Sequence, residues 1–305
     1  MDVRTEVPLA PLTTFGIGGP AAFFVRTRST DELAEAFAAA QAEDVPVIVL
    51  GGGSNILVPD EGVNALVLQV AHKGIDFGHE LLRVAAGEVL LNLVQYAAVQ
   101  GLGGLTNLAG IPGTVGGAVR GNAGAFGSEI QDVIAFVTVF DTTTGYQKIY
   151  SKPECMFAYR SSVFKQEPHL VITEVALALP AGAPAELEVA VAHTISEREK
   201  RHIQDIKSAG SFFKNPVVEE DIQHLFEKDK GVKSKEGRVP AGWLMDQAGL
   251  RGARVGDAVA SPYHTNYFIN MGNATAQEVK QLAAFAKEKV KKEFGIELEE
   301  EAVVL

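Results

Sequence analysis

Between Gly101 and Gly127 the chain reads GLGGLTNLAGIPGTVGGAVRGNAGAFG, a run dense in glycine in which Arg120 is the only charged side chain. A linker of that glycine content would be padded with serine, glutamine or charge. Here Leu102, Leu105, Leu108, Ile111, Val115 and Val119 recur between the glycines and require burial. Glycine lacks a Cβ and tolerates positive φ, so such a segment lets a large flat group lie directly on folded backbone, with N–H groups converging on an anion. Tight turns in a compact domain are the plainer reading of the same residues.

Whole-chain chemistry narrows what that group can be. A length of 305 residues allows two or three domains, and 47% hydrophobic with 21% charged residues describes an ordinary globular chain. The net charge of -11 argues against a general binder of nucleic acid or anionic membrane, so an anionic ligand needs a local positive site. Cys155 is the single cysteine, which excludes a disulfide framework and a cysteine metal cluster. The seven histidines lack ligand spacing, so no metal is expected. The opening MDVRTEVPLA lacks the apolar core of a signal peptide, and no apolar run reaches membrane-spanning length. A cytoplasmic location without an obligate protein partner is the expectation.

Along the chain, Ala21–Thr27 reads as a strand, Ser29 and Glu32 as a helix cap followed by a helix to about Gln41, and Val45–Leu50 as a buried strand. That strand feeds Gly51-Gly52-Gly53-Ser54-Asn55. A dinucleotide fingerprint would open a helix here, but Ile56, Leu57 and Val58 run into Pro59 and Gly62. Strands are expected over Asn64–Val70 and Leu81–Ala86, a helix over Val89–Gln100, and a hairpin of Val133–Phe140 and Gln147–Tyr150 around Asp141–Gly145. Leu170–Leu179 reads as a strand and Ala185 to about His202 as a helix. Composition changes near Asp205. Glu219–Gly237 reads as a charged, mobile stretch, and Ala241–Ala248 as a short helix stopped by Gly249. A strand is expected to close at Ile269, and Gln277–Phe294 reads as a long helix capped by Thr275. Glu297–Leu305 reads as a final strand. The chain mixes α and β elements without steady βα alternation.

Three segments carry a resemblance to a known family: Gly51-Gly52-Gly53-Ser54-Asn55, Ala109-Gly110-Ile111-Pro112-Gly113-Thr114-Val115-Gly116-Gly117-Ala118, and Gly121-Asn122-Ala123-Gly124-Ala125-Phe126-Gly127. In order and spacing they resemble the UDP-N-acetylenolpyruvoylglucosamine reductases, bacterial flavoenzymes of peptidoglycan precursor synthesis. The likeness runs from about Thr13 to Glu301. The interval between Arg160 and Ser211 is too short for the extra tyrosine-bearing loop of one branch, so the chain resembles the branch without it.

The resemblance implies an α+β fold: a flavin-binding portion of two α+β subdomains, like that of vanillyl-alcohol oxidase, and a C-terminal α+β substrate-binding domain. The implied division is 1–70 with the terminal strand 297–305, then 71–204, then 205–296. It implies noncovalent FAD held by Gly51, Gly52, Gly53, Ser54, Asn55, Gly110, Ile111, Pro112, Gly113, Thr114, Gly116, Gly117, Asn122, Ala123 and Gly124, with side-chain bonds from Asn55 and Asn122. NADPH is the implied cosubstrate and UDP-N-acetylglucosamine enolpyruvate the substrate, reduced to UDP-N-acetylmuramate.

Arg160 in Tyr159-Arg160-Ser161-Ser162 reads locally as a surface charge, yet its planar fork suits a carboxylate. The resemblance sets it beside the enolpyruvyl carboxylate. Ser211 reads locally as a turn residue; a serine hydroxyl donates usefully only to a strongly basic carbanion or enolate. The resemblance makes it the proton donor. Glu301 ends an acidic run that would ordinarily be solvated, and the resemblance makes it a catalytic glutamate, with Ala302-Val303 departing from the usual following residues. An ionised Glu301 beside developing negative charge would repel it, so it is either protonated or positions Arg160. Tyr159, Lys214, Asn215, His264 and Asn266 are the implied substrate contacts, although His264 alone reads as an ordinary hydrogen-bonded histidine. A flavin oxidase of the same fold acting on a sugar or alcohol, and a noncatalytic flavin- or nucleotide-sugar-binding regulator, are the alternatives.

Overall fold

The structure, a computed structural model, describes residues 1–78, 80–200 and 206–305. Several elements begin where local chemistry dictates. The Ser29 side chain accepts the Glu32 N–H at 3.2 Å to open the Thr30–Ala42 helix, and the Glu32 carboxylate accepts the Arg28 N–H at 2.7 Å. Thr275 and Glu278 form a reciprocal capping box on the Ala276–Phe294 helix. The Asp60 carboxylate takes the next two orphan donors, Ala276 N–H at 2.7 Å and Gln277 N–H at 3.1 Å, and Gly295 at φ 71° ends the helix in the left-handed conformation.

The chain forms two compact units. The first comprises Met1–Val7, Ala21–Gly53 and Asn64–Glu199; the second comprises Pro8–Pro20, Ser54–Val63 and Lys200–Leu305. In the first, a four-stranded sheet runs in the order Arg4–Pro8, Pro20–Thr27, Val63–Val70, Val47–Leu50, its last two strands parallel with Val47 opposite Leu66. A five-stranded antiparallel sheet runs Tyr146–Ser151, Ile134–Asp141, Leu170–Leu177, Leu81–Ala85, Ile75–Gly78. Leu33, Leu68, Leu82, Leu90, Val137, Phe164 and Val175 belong to the buried core of this unit.

In the second unit Ile56–Leu57 pairs in parallel with Val303–Val304. Arg254–Val255, Ala258–Ala260 and Phe268–Asn270 form a three-stranded antiparallel sheet whose first two strands contact the long C-terminal helix. Phe15, Phe212, Phe213, Leu244, Phe268 and Val279 are fully buried in its core. The architecture is α+β, and Gly51–Gly53 leads into a two-residue strand and not a helix.

Some expectations change. Glu219–Gly237, expected as a charged, mobile stretch, contains a helix: Glu220–Lys230 buries Ile222 and Phe226, the latter edge-on to Trp243 at 5.5 Å. The polar bulk of that segment hid an apolar stripe one turn apart. Glu227 then accepts from Lys233 Nζ at 2.8 Å and Ser234 N–H at 3.0 Å, which lowers its pKa to about 2. Glu297–Leu305 pairs as a strand only at Val303–Val304, and the Leu170 strand stops at Leu177. Elements not expected include the Arg4–Pro8 and Ile75–Gly78 strands, the Val115–Arg120 and Val163–Gln166 helices, and the Arg254–Val255 and Ala258–Ala260 strands. The helix end near His202 and the composition change near Asp205 lie outside the described residues.

Candidate active site

In the first unit two glycine loops meet without side chains between them. A Cβ on Gly52 would stand 2.9 Å from Gly113 Cα, and one on Gly51 would stand 2.8 Å from Thr114 Oγ1. Gly113 itself lies at φ 114°, which only glycine adopts without strain. The second loop is pinned from behind by Leu90 N–H to Gly113 O at 3.0 Å, Val115 N–H to Glu88 O at 2.9 Å and Gly116 N–H to Ala86 O at 2.8 Å. Thr114 then caps the Val115–Arg120 helix by accepting from Gly117 N–H at 3.4 Å. The other side of this loop is open: a Cβ on Gly117 or Gly121 would meet nothing closer than 3.5 Å. Bare, open backbone backed by interlocked glycines fits a large planar cofactor.

Asn122 departs from its expected part. It is fully buried at φ 43°, and its Nδ2 donates to Glu129 Oε2 at 2.8 Å and to Ala158 O at 3.0 Å, while its Oδ1 accepts from Gln131 N–H at 3.3 Å. Its side chain therefore ties the glycine segment to the turn that carries Arg160. That turn is tight, with Ala158 and Ser161 exchanging both backbone hydrogen bonds at 3.1 and 3.0 Å around Tyr159 and Arg160. Arg160 sits at φ 54°, donates to Gly124 O at 3.1 Å and stacks over the Tyr159 ring at 5.0 Å. Ser162, missed in the sequence, adds a third tie through its hydroxyl to Arg120 O at 2.7 Å. Its position two residues beyond Arg160 was the available signal. Burial lowers the pKa of Arg120 from its ordinary value.

The second unit collects Ser54, Asn55, Ser211, Lys214, Asn215, His264, Asn266 and Glu301. Half-buried Ser211 pairs in a bridge with Tyr267, next to the packed rings of Phe212, Phe213 and Phe268. Phe212 O accepts the Glu301 N–H at 2.8 Å, so one peptide separates the Ser211 residue from the backbone contact of Glu301. Asn55 Nδ2 donates to Glu301 O at 3.2 Å, and Val303 N–H donates to Asn55 O at 3.0 Å. Asn55, expected to bond the cofactor, thus also anchors the glutamate strand.

The neighbouring acids are engaged by cations. Lys214 pairs with Glu299, and Lys287 Nζ lies 2.8 Å from Glu300 Oε1. Asn215 Oδ1 accepts the Ala241 N–H at 3.0 Å and so caps the Ala241–Gln247 helix from outside. The half-buried His264 ring meets Tyr267 edge-on at 4.8 Å. A polar cavity among Ser29, Thr30, His72, Thr138, Gln147 and Glu174 contains none of the expected site residues. Among the described residues no group of three metal-ligating side chains occurs.

Comparison with known proteins decides the family. Residues 201–305 match the family described as UDP-N-acetylenolpyruvoylglucosamine reductase, C-terminal domain, and residues 21–149 match an FAD binding domain. A UDP-N-acetylenolpyruvoylglucosamine reductase of Solibacter usitatus is 39% identical over 301 residues, covering 99% of this chain and 96% of the relative. The chain belongs to the UDP-N-acetylenolpyruvoylglucosamine reductase family. A second reductase, from Pseudomonas fluorescens, is 36% identical, with 99% of this chain and 98% of that one covered. The crystal structure of the Thermus caldophilus reductase superposes with a TM-score of 0.78 at 37% identity, covering 99% of both chains. This reductase is thus an oxidoreductase of the flavoenzyme class with FAD as its cofactor, and its glycine cradle has the shape and chemistry to hold that group. Among the described residues no helix is long and apolar enough to cross a membrane.

Proposed function

We propose that this reductase converts UDP-N-acetylglucosamine enolpyruvate to UDP-N-acetylmuramate in the cytoplasm, with NADPH as cosubstrate and noncovalent FAD. The observation that carries the reading is the pair of prepared frameworks: an open glycine cradle in one unit, and in the other a backbone network that joins Ser211 to Glu301 through Phe212. The residues that hold FAD are Gly51–Asn55, Gly110, Ile111, Pro112, Gly113, Thr114, Gly116, Gly117, Ala123 and Gly124. FAD there supplies the hydride relay from NADPH to the terminal carbon of the enolpyruvyl group. Residues 205–296 serve as the substrate domain, and 1–70 with 297–305 and 71–204 as the flavin portion.

The protein's own work is electrostatic and protonic. The Arg160 fork takes the substrate carboxylate and stabilises the negative charge that develops as hydride arrives at the neighbouring carbon. The Ser211 hydroxyl gives its proton to the carbon bearing that carboxylate, and solvent restores the serine proton. The tie of Glu301 N–H to Phe212 O at 2.8 Å, one residue from Ser211, supports Glu301 as the functional carboxyl of the acidic run. Tyr159, Lys214, Asn215 and His264 contact the rest of the substrate.

Two half-reactions test the reading. The purified protein should be yellow, bleach on anaerobic NADPH addition, and regain its colour when the enolpyruvyl substrate is supplied. Ser211→Ala should bleach at the parent rate and reoxidise at least ~10²-fold more slowly at saturating substrate, the low end for a positioned general acid. A colourless protein, or one whose colour returns only with oxygen, would sink the reductase reading.

A further inference from the structure

Asn266 was expected to touch substrate, but the geometry gives its side chain another task. The residue is 2% exposed. Its Oδ1 accepts the Phe213 N–H at 2.9 Å and its Nδ2 donates to the Phe213 O at 2.8 Å, so one carboxamide closes a ring of two hydrogen bonds on a single residue. Its own carbonyl accepts the Phe212 N–H at 2.7 Å. The Ser211–Phe213 segment thus gains from one side chain the pairing that a neighbouring strand would give. On the other side Phe212 O accepts from Glu301 N–H at 2.8 Å and Ala302 N–H at 3.3 Å.

We propose that Asn266 is a positioning residue for Ser211 and Glu301, setting the height of both through the Phe212–Phe213 backbone, and not a substrate ligand. The inference rests on the proton-donor reading of Ser211. The carboxamide is the group that fits: it presents a donor and an acceptor side by side, whereas a carboxylate has no donor and glutamine adds a methylene. Because the clamp holds backbone, its loss displaces the Ser211 hydroxyl without altering any group that reacts. A displacement on the order of 1 Å typically costs about 10²-fold in rate. Gly51–Gly53 and Gly110–Gly124, the larger part of the cradle, belong to the other compact unit, so loss of the clamp is expected to leave cofactor content and its reduction by NADPH largely unchanged.

The test uses the full-length holoenzyme. Asn266→Asp, nearly isosteric, should keep its FAD content and bleach with NADPH at the parent rate. It should then reoxidise with UDP-N-acetylglucosamine enolpyruvate about 10- to 100-fold more slowly, with KM close to parent. Asn266→Ser, whose single shorter hydroxyl cannot reach both Phe213 groups, should slow reoxidation at least as much; it carries the same test if Asn266→Asp yields no holoenzyme. In a Ser211→Ala background Asn266→Asp should add less slowing than it does in the parent, because its effect through the Ser211 hydroxyl is already gone and only that through Glu301 remains. A raised KM with unchanged kcat would make Asn266 a substrate ligand and overturn the proposal. Equal losses in both half-reactions would make it merely structural and also overturn it. A slow Ser211→Ala beside an Asn266→Asp at parent rate would overturn this inference alone, whereas a Ser211→Ala at parent rate would overturn the proton-donor reading and this inference together.

Discussion

The two units build their candidate residues by opposite means. Around Gly52, Gly113 and Gly117 the first unit removes side chains, so that backbone meets backbone on one side and open space on the other. Around Ser211 the second unit adds them: three phenylalanine rings lie within 4.6 to 5.7 Å of one another, and Asn266 clamps the chain beside them. A cradle for a large flat cofactor needs area, which glycine provides. The proton donor proposed at Ser211 needs a fixed coordinate, which close packing provides. Each unit also turns a buried asparagine inward, Asn122 onto the Arg160 turn and Asn266 onto the Ser211 segment.

The largest expected effect sharpens the first half of that contrast. Gly117→Val has room in the protein, since its Cβ would meet only Thr114 Oγ1 at 3.5 Å, so the variant should be soluble and colourless. Gly124→Val is a different experiment: its Cβ would lie 2.6 Å from Ser128 O, and it should lower the yield of folded protein. A fully flavinated Gly117→Val would break the assignment of the cradle.

Arg160 comes next. Lysine keeps the charge and loses both the fork and the donation to Gly124 O, so Arg160→Lys should slow reoxidation by about the ~2.7–4 kcal/mol of barrier typical for a lost charge-stabilising donor. Near-parent turnover of this variant would retire the carboxylate role.

Asn122→Ala asks whether that buried amide serves the fold or the cofactor. The internal bonds to Glu129 and Ala158 predict a stability loss of ~1–3 kcal/mol, equal in apo- and holoprotein, by urea unfolding. A loss confined to the holoprotein would return Asn122 to the cofactor.

The smallest effect concerns a side-chain tie of the second unit. The bond from Lys233, then that from Ser234 N–H, holds Glu227 at about 2, below its ordinary 4.5. The stabilisation is therefore fully present above about pH 4.5 and fades as pH falls toward about 2. Glu227→Gln should be slightly less stable than the parent at pH 7, with the gap closing on acidification; a gap constant with pH would show that the pair contributes nothing.

What could be read in the sequence was whatever short-range chemistry dictates. Ser29 and Thr275 were legible as caps because a cap acts within one turn. The absence of a dinucleotide helix followed from Pro59, and the Asp141–Gly145 turn from its own residues. The glycine segment was legible from composition as backbone bare of side chains, open to a flat group or to tight turns alike. Beyond the reach of local chemistry, the Val115–Arg120 helix forms although two of its residues are glycine, each costing ~1 kcal/mol, because Thr114 caps it and Val115, Ala118 and Val119 are buried. The sequence likewise could not say where an asparagine points. Asn55, Asn122 and Asn266 read as groups turned toward a ligand, and each was found bonded to backbone remote in the chain: Asn55 to Glu301, Asn122 to Ala158, Asn266 to Phe213. A carboxamide donates and accepts equally well in either setting, so its residue type determines only that it will be satisfied. Tertiary structure chose the partner, since only the folded chain brings residue 266 against residue 213 and residue 55 against residue 301.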